Sequence, residues 1–238
     1  MNGVMMYKSR LKEFIVQEMS MPRSKDIAKV YYHGTSSTFF GESIIKNGIK
    51  IPDLTLRKGK LKPVEGKVYI TPHIAYAQIY CIGGDLAGND YKPSEYELKN
   101  SGQYGYLFII DGKDLKDIVP DEDSIGEILW HYLNNVDSKR YKINSDLKWL
   151  DYLAQRKLTS LQYRNVKNQG DFGDLAVAGK KLVKFMTDKQ KFEIIDRGGH
   201  IAHGGNLFPT QAWKCDKLKI KELKPDGSNF FKIAERVV

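Results

Sequence analysis

The residues best suited to chemistry fall in two short runs. His33, Gly34 and Thr35 close one hydrophobic run, and Tyr69-Ile70-Thr71 closes a second. A histidine beside a glycine presents a titratable ring and unobstructed backbone at one place. Tyrosines offer flat apolar faces with a polar tip, on which a ligand ring can stack. Tyr80 follows Tyr69 by eleven residues, so a short strand-to-helix connection can turn the two rings toward each other across a slot. The chain also carries an acidic run, Pro120-Asp121-Glu122-Asp123, and a late stretch Thr210-Gln211-Ala212-Trp213-Lys214. A carboxylate accepts protons and stabilises cations, whereas a glutamine only orients by hydrogen bonding.

These residues need elements to hold them. Apolar spacing in 7–19 (YKSRLKEFIVQEM) predicts an N-terminal helix, ended by Met21-Pro22. Residues 27–32 read as a strand leading into His33, and 39–47 as a short amphipathic helix stopped by Gly48. Residues 52–66 are basic and turn-rich, which predicts a loop. Residues 67–71 read as a strand, and Thr71-Pro72 as the cap and first turn of a helix over 72–81. Residues 83–100 read as a long loop, and 105–111 (GYLFIID) as the clearest strand. Ser124 with Glu127 fits a capping box. Helical patterns at 147–166 and 171–188 extend this into a helical block over 124–190. The tail returns to strands at 191–195, 210–214 and 217–223. Strands at both ends with helices between them predict an α+β domain spanning 1–238, with 1–26 an appended helix.

Composition sets the outer bounds. A chain of 238 residues, 41% hydrophobic and 28% charged, can bury a full core. It shows no apolar run of membrane-spanning length and no signal-peptide core, so a cytoplasmic protein without a membrane partner is expected. Cys81 and Cys215 are expected as free thiols, and no CxxC or HxxxH spacing suggests a metal. The net charge of +9 suits a polyanion such as RNA or DNA, and also a lysine-rich solvated surface. The densest basic patches are 57–62 and 139–142. Trp149, Tyr152 and Tyr163 with nearby lysines and arginines could stack bases or form an amphipathic helix face. His200 and His203 lie in a glycine-flanked stretch before Gln211, as contacts to acceptor or phosphate or as plain loop residues. No GxGxxG follows a strand, which leaves a Rossmann site without support.

In order, Tyr32-His33-Gly34-Thr35, Ser43 to Ile49, Val68-Tyr69-Ile70-Thr71 and Ala77-Gln78-Ile79-Tyr80 resemble the ADP-ribosyltransferase superfamily of the diphtheria-toxin and poly(ADP-ribose) polymerase type. The run 32–50 (YHGTSSTFFGESIIKNGIK) is the closest part, and the similarity covers about 28–81 well and the last forty residues weakly. The resemblance implies a split β-sandwich around an NAD cleft. In it, His33 would hold the adenosine-side ribose, and Gly34 backbone the nicotinamide carboxamide. Thr35 would be a secondary contact, and Tyr69 and Tyr80 would sandwich the nicotinamide. The family's late-strand glutamate is replaced by Gln211, and Asp121 matches the acid that rifamycin-modifying relatives use. The reaction implied is cleavage of NAD at its nicotinamide–ribose bond, with transfer of ADP-ribose to a macromolecular acceptor such as nucleic acid. Two alternatives stand beside it: a small-molecule acceptor of the antibiotic type, and an inactive module that binds NAD or ADP-ribose. A phosphotransferase acting on an RNA 2′-phosphate would need several arginines ringed around the phosphate, and the few arginines among many lysines argue against it.

Overall fold

A computed structural model describes residues 30–51, 66–83, 93–136, 141–143, 145–168 and 171–238. The protein is α+β, with two small antiparallel sheets. Strands β1 (Val30–Thr35), β3 (Tyr104–Asp111), β6 (Gln211–Asp216) and β7 (Glu235–Arg236) form one sheet, in the order β1-β3-β6-β7. Strands β2 (Lys67–Ile70), β5 (Ile201–Gly204) and β4 (Val119–Pro120) form the other, in the order β2-β5-β4. Among the described residues the edge of β1 meets the end of β2 at a single bridge: Tyr32 N donates to Thr71 O (2.7 Å) and Thr71 N to Tyr32 O (3.0 Å). Beyond it the strands part, and the His33 ring supplies the next link through Nδ1 to Tyr69 O at 3.0 Å.

Opposed residues in an antiparallel ladder share a face, and successive residues alternate faces. Tyr32, Ile109 and Gln211 therefore lie on one side of the larger sheet, and His33, Phe108 and Ala212 on the other. On the His33 side, Tyr31, Phe108, Ile110 and Ala212 pack with Val68, Ile70 and Ile201 of the smaller sheet. The opposite side buries Leu107 and Cys215 against Ala77, Cys81 and Phe230. Here helix α2 (Ile74–Ile82) lies flat on β1, so close that a Cβ on Gly34 would sit 2.0 Å from Ala77 O and 2.8 Å from Cys81 N. Only glycine fits there.

Helix α1 (Thr38–Asn47) begins where Ser37 Oγ accepts from Phe40 N and ends at Gly48, in line with the sequence pattern. Helix α2 starts later than predicted. Thr71 is occupied by the bridge to Tyr32, and its Oγ1 accepts from His73 N, so His73 becomes the N-cap. Part of the expected loop at 83–100 is helix α3 (Glu95–Ser101), opened by a Ser94/Glu97 capping box. The helical block runs α4 (Glu122–Leu133), α5 (Lys148–Lys157), α6 (Ser160–Asn168), α7 (Phe172–Leu182) and α8 (Asp188–Asp196). It has its own core, including Ile125, Leu129, Tyr141, Leu150, Leu175 and Leu182.

Three expectations are corrected. The apolar residues at 191–195 form helix α8 and not a strand, because Thr187 and Gln190 make a reciprocal capping box. The alternating stretch 217–223 is mostly a 3-10 helix, Lys217–Glu222, started by Asp216 capping Leu218 N. Ser124 and Glu127 do not form a capping box: Asp121 caps α4, Ser124 Oγ accepts from His200 N, and Glu127 accepts from buried Tyr141. That leaves Tyr141 out of any basic surface patch, and Lys142 turns toward Asp196. The predicted N-terminal helix, the 57–62 patch, Lys139 and Arg140 lie outside the described residues.

Candidate functional site

Where the two sheets part, a cleft of about 750 Å³ opens, within the size range of small-molecule sites. His33, Gly34, Thr35, Tyr69, Tyr80 and Asp121 all line it. Gln211 does not. It sits on the opposite face of the sheet from His33, and its Oε1 accepts from Trp213 Nε1 at 3.2 Å. On β6, separated from β1 by β3, it does not join the other six.

His33 is half-buried at the rim of the inter-sheet core, 6.5 Å from Phe108 ring to ring. Desolvation pulls its pKa below the ordinary histidine value, only partly offset by the bond to the Tyr69 carbonyl. A carbonyl accepts only, so Nδ1 carries the proton, and neutral His33 keeps Nε2 as an acceptor. Thr35 Oγ1 accepts from Ser37 N at 3.4 Å and so steadies the turn into α1. Gly34 has two separate roles. Its missing Cβ is taken up by α2, while its backbone groups point the same way as those of Tyr32, toward the gap left by β2. The N–H and C=O of Gly34 thus face the cleft.

The acid nearest the tyrosine is Glu122. The Tyr69 hydroxyl donates to both carboxylate oxygens of buried Glu122, at 2.8 and 2.9 Å. Its neighbour Asp121 also borders the cleft, but its Oδ1 accepts from Asp123 N as the cap of α4. Burial, with the charges of Asp123 and Glu122, pushes the Asp121 carboxyl well above the usual carboxylate range. The acidic run is fixed from two sides. Asp121 N donates to His200 O (2.8 Å), tying α4 to the segment before β5. On the other side α7 lies against Glu122 itself: a Cβ on Gly179 would meet Glu122 O at 1.8 Å. That approach also brings Ala176, Val177 and Lys180 of α7 into the cleft wall.

Sequence reasoning passed over Glu122, Tyr76 and Lys180. Tyr76 lies one helical turn before Tyr80, its ring 5.4 Å from Tyr80 and 4.3 Å from His200. That i, i+4 pair was a usable signal, because such residues share a helix face. Glu122 lay inside the acidic run, but nothing local separates it from Asp121. Of the two histidines before Gln211, His200 is buried and lines the cleft. His203 lies on β5, and its Nδ1 accepts from Lys116 N at 2.8 Å, outside the cleft lining.

The arrangement combines aromatic walls, a neutral imidazole acceptor, strand backbone facing a gap, and a carboxylate held by a phenol. It can bind a flat cationic ring and stabilise positive charge that develops nearby. Among the described residues no cluster of His, Cys, Asp or Glu is arranged to hold a metal ion, and no helix is long and apolar enough to cross a membrane. Comparison with protein-family models, curated proteins and solved structures finds no match.

Proposed function

We propose that the cleft binds NAD and that the protein is an ADP-ribosyltransferase, with Glu122 as the reaction's carboxylate. The observation that carries this reading is the pair of hydrogen bonds from Tyr69 to Glu122 at the cleft wall. Two small sheets joined at one bridge and then parting are in keeping with the split sandwich that the sequence resemblance implies.

The chemistry follows from charge. The nicotinamide of NAD is a flat cation, suited to the face of Tyr69, with Tyr80 and Tyr76 on the facing helix. Its carboxamide offers a donor and an acceptor, matching the N–H and C=O of Gly34. Neutral His33 accepts at Nε2 from a ribose hydroxyl. When the glycosidic bond breaks, its electron pair leaves with nicotinamide, which departs neutral. Positive charge then builds on the ribose carbon and ring oxygen, where the negative field of Glu122 lowers the barrier. The acceptor nucleophile forms the new bond to that carbon and gives up its proton, for which Glu122 is the available base.

Nicotinamide release from NAD by the purified protein, followed in parallel with Glu122→Gln, tests this. Release that the substitution slows by about 100-fold or more is the expected result. Wild-type protein that neither binds NAD nor releases nicotinamide overturns the reading.

A further inference from the structure

The helical block carries a charged aromatic face beside the cleft. Residues 148–184 hold eight lysines and arginines against three aspartates. Two rings on this face are exposed and topped by cations. The Arg156 guanidinium lies 5.3 Å from the centre of the Tyr152 ring and donates to its hydroxyl, and Tyr152 is 60% exposed. Lys157 Nζ lies 4.3 Å from the centre of the Phe185 ring, and Phe185 is 47% exposed. Asp151, the one acid of α5, is taken up by Tyr163 (2.7 Å) and Gln155. Among the described residues none of Arg156, Lys157 and Lys184 forms an ion pair.

These groups are linked to the cleft through α5 and α7. Tyr152 and Arg156 are one turn apart on α5, Lys157 reaches Phe185 in the 3-10 turn that follows α7, and Lys184 adjoins Phe185. One turn back from Lys184 stands Lys180, which lines the cleft. Unneutralised cations attract phosphates, and exposed rings stack bases regardless of sequence. A duplex hides its base faces, so rings have value only where bases are unstacked.

We infer that this face binds single-stranded nucleic acid and leads it along α7 to the cleft as the acceptor, the acceptor role resting on the transferase reading above. The shared chemistry of phosphate and exposed base covers RNA and DNA alike.

Fluorescence anisotropy with oligonucleotides of about 12 nucleotides tests the surface, a length within usual single-strand site sizes. Single-stranded DNA, single-stranded RNA, a duplex and anionic phospholipid vesicles form the four arms. Binding of either single strand in preference to duplex and vesicles is expected. Arg156→Glu/Lys157→Glu/Lys184→Glu should weaken it by about 100-fold at low salt and flatten its salt dependence. Tyr152→Ala should weaken it by about 10-fold through lost stacking. Should the triple variant melt early, Lys184→Gln alone should lower the logarithmic salt slope by about 0.7. Tighter binding of duplex or vesicles overturns the inference, as does a folded variant that binds like the parent. Tyr69→Ala should lose NAD binding and keep oligonucleotide binding. Oligonucleotide binding with neither NAD binding nor nicotinamide release leaves this surface standing and removes the cleft reading; nicotinamide release with no oligonucleotide binding does the reverse.

Discussion

The hydroxyl of Tyr69 donates to both carboxylate oxygens of Glu122, joining the middle of β2 to the first residue of α4. A carboxylate in that position serves as acceptor and negative pole together, close to any ring lying on Tyr69. Asp121, next in sequence, is the helix cap, and Gln211 lies across the sheet.

Two substitutions separate Glu122 from Gln211. Glu122→Gln should lower the rate of nicotinamide release by about 100-fold or more, the usual scale for losing one electrostatic contact to a transition state. Gln211→Ala should leave that rate within about twofold, since surface-side changes away from a site have small effects. Single-turnover rates of the two variants check this. Equal losses in both would move the reaction centre away from Glu122.

Asp121 should govern stability more than rate. Its raised pKa means that the folded state holds a proton which the unfolded chain has released. Burial of Asp121 therefore costs nothing at low pH and destabilises increasingly as pH rises above the ordinary carboxylate value. Asp121→Asn keeps the cap and removes the charge, so it should melt higher than the parent at neutral pH, with the gap closing toward pH 4. Asp121→Ala loses the cap at a cost of about 1 kcal/mol. Melting curves across pH measure both.

Gly34→Ala places a methyl group 2.0 Å from the Ala77 carbonyl, which is backbone and cannot swing aside. Helix α2 must move off β1, a strain of about 3 kcal/mol by the scale of overpacked cores. Denaturant unfolding should show this loss even without ligand, which a purely ligand-contacting glycine would not give.

Tyr80 is 55% exposed, so Tyr80→Ala should change stability by less than about 0.5 kcal/mol. Loss of its ring face should still weaken NAD by about 10-fold, on the scale of one stacking contact. Calorimetric titration beside a melting curve measures the split. A large drop in melting temperature with unchanged affinity would make Tyr80 a packing residue.

The sequence by itself determined the local pieces: helix α1 with its stop at Gly48, strands β2 and β3, and the tyrosines on strand and helix. Capping and periodicity act over a few residues, so neighbours in the chain carry the whole signal. The same rules were present but misread at Thr187 and Gln190, where a capping box outweighs an apolar run that looks like a strand. Strand β5 escaped notice because its four residues, lying between glycines, become a strand only by pairing with β2 and β4. The choice among Asp121, Glu122 and Gln211 belonged to the tertiary structure alone. It depends on which way a helix N-terminus is turned by α7 and the His200 backbone, and on which face of a sheet an odd or even residue occupies. Those are long-range relations between chain-distant surfaces, and no spacing within one segment encodes them.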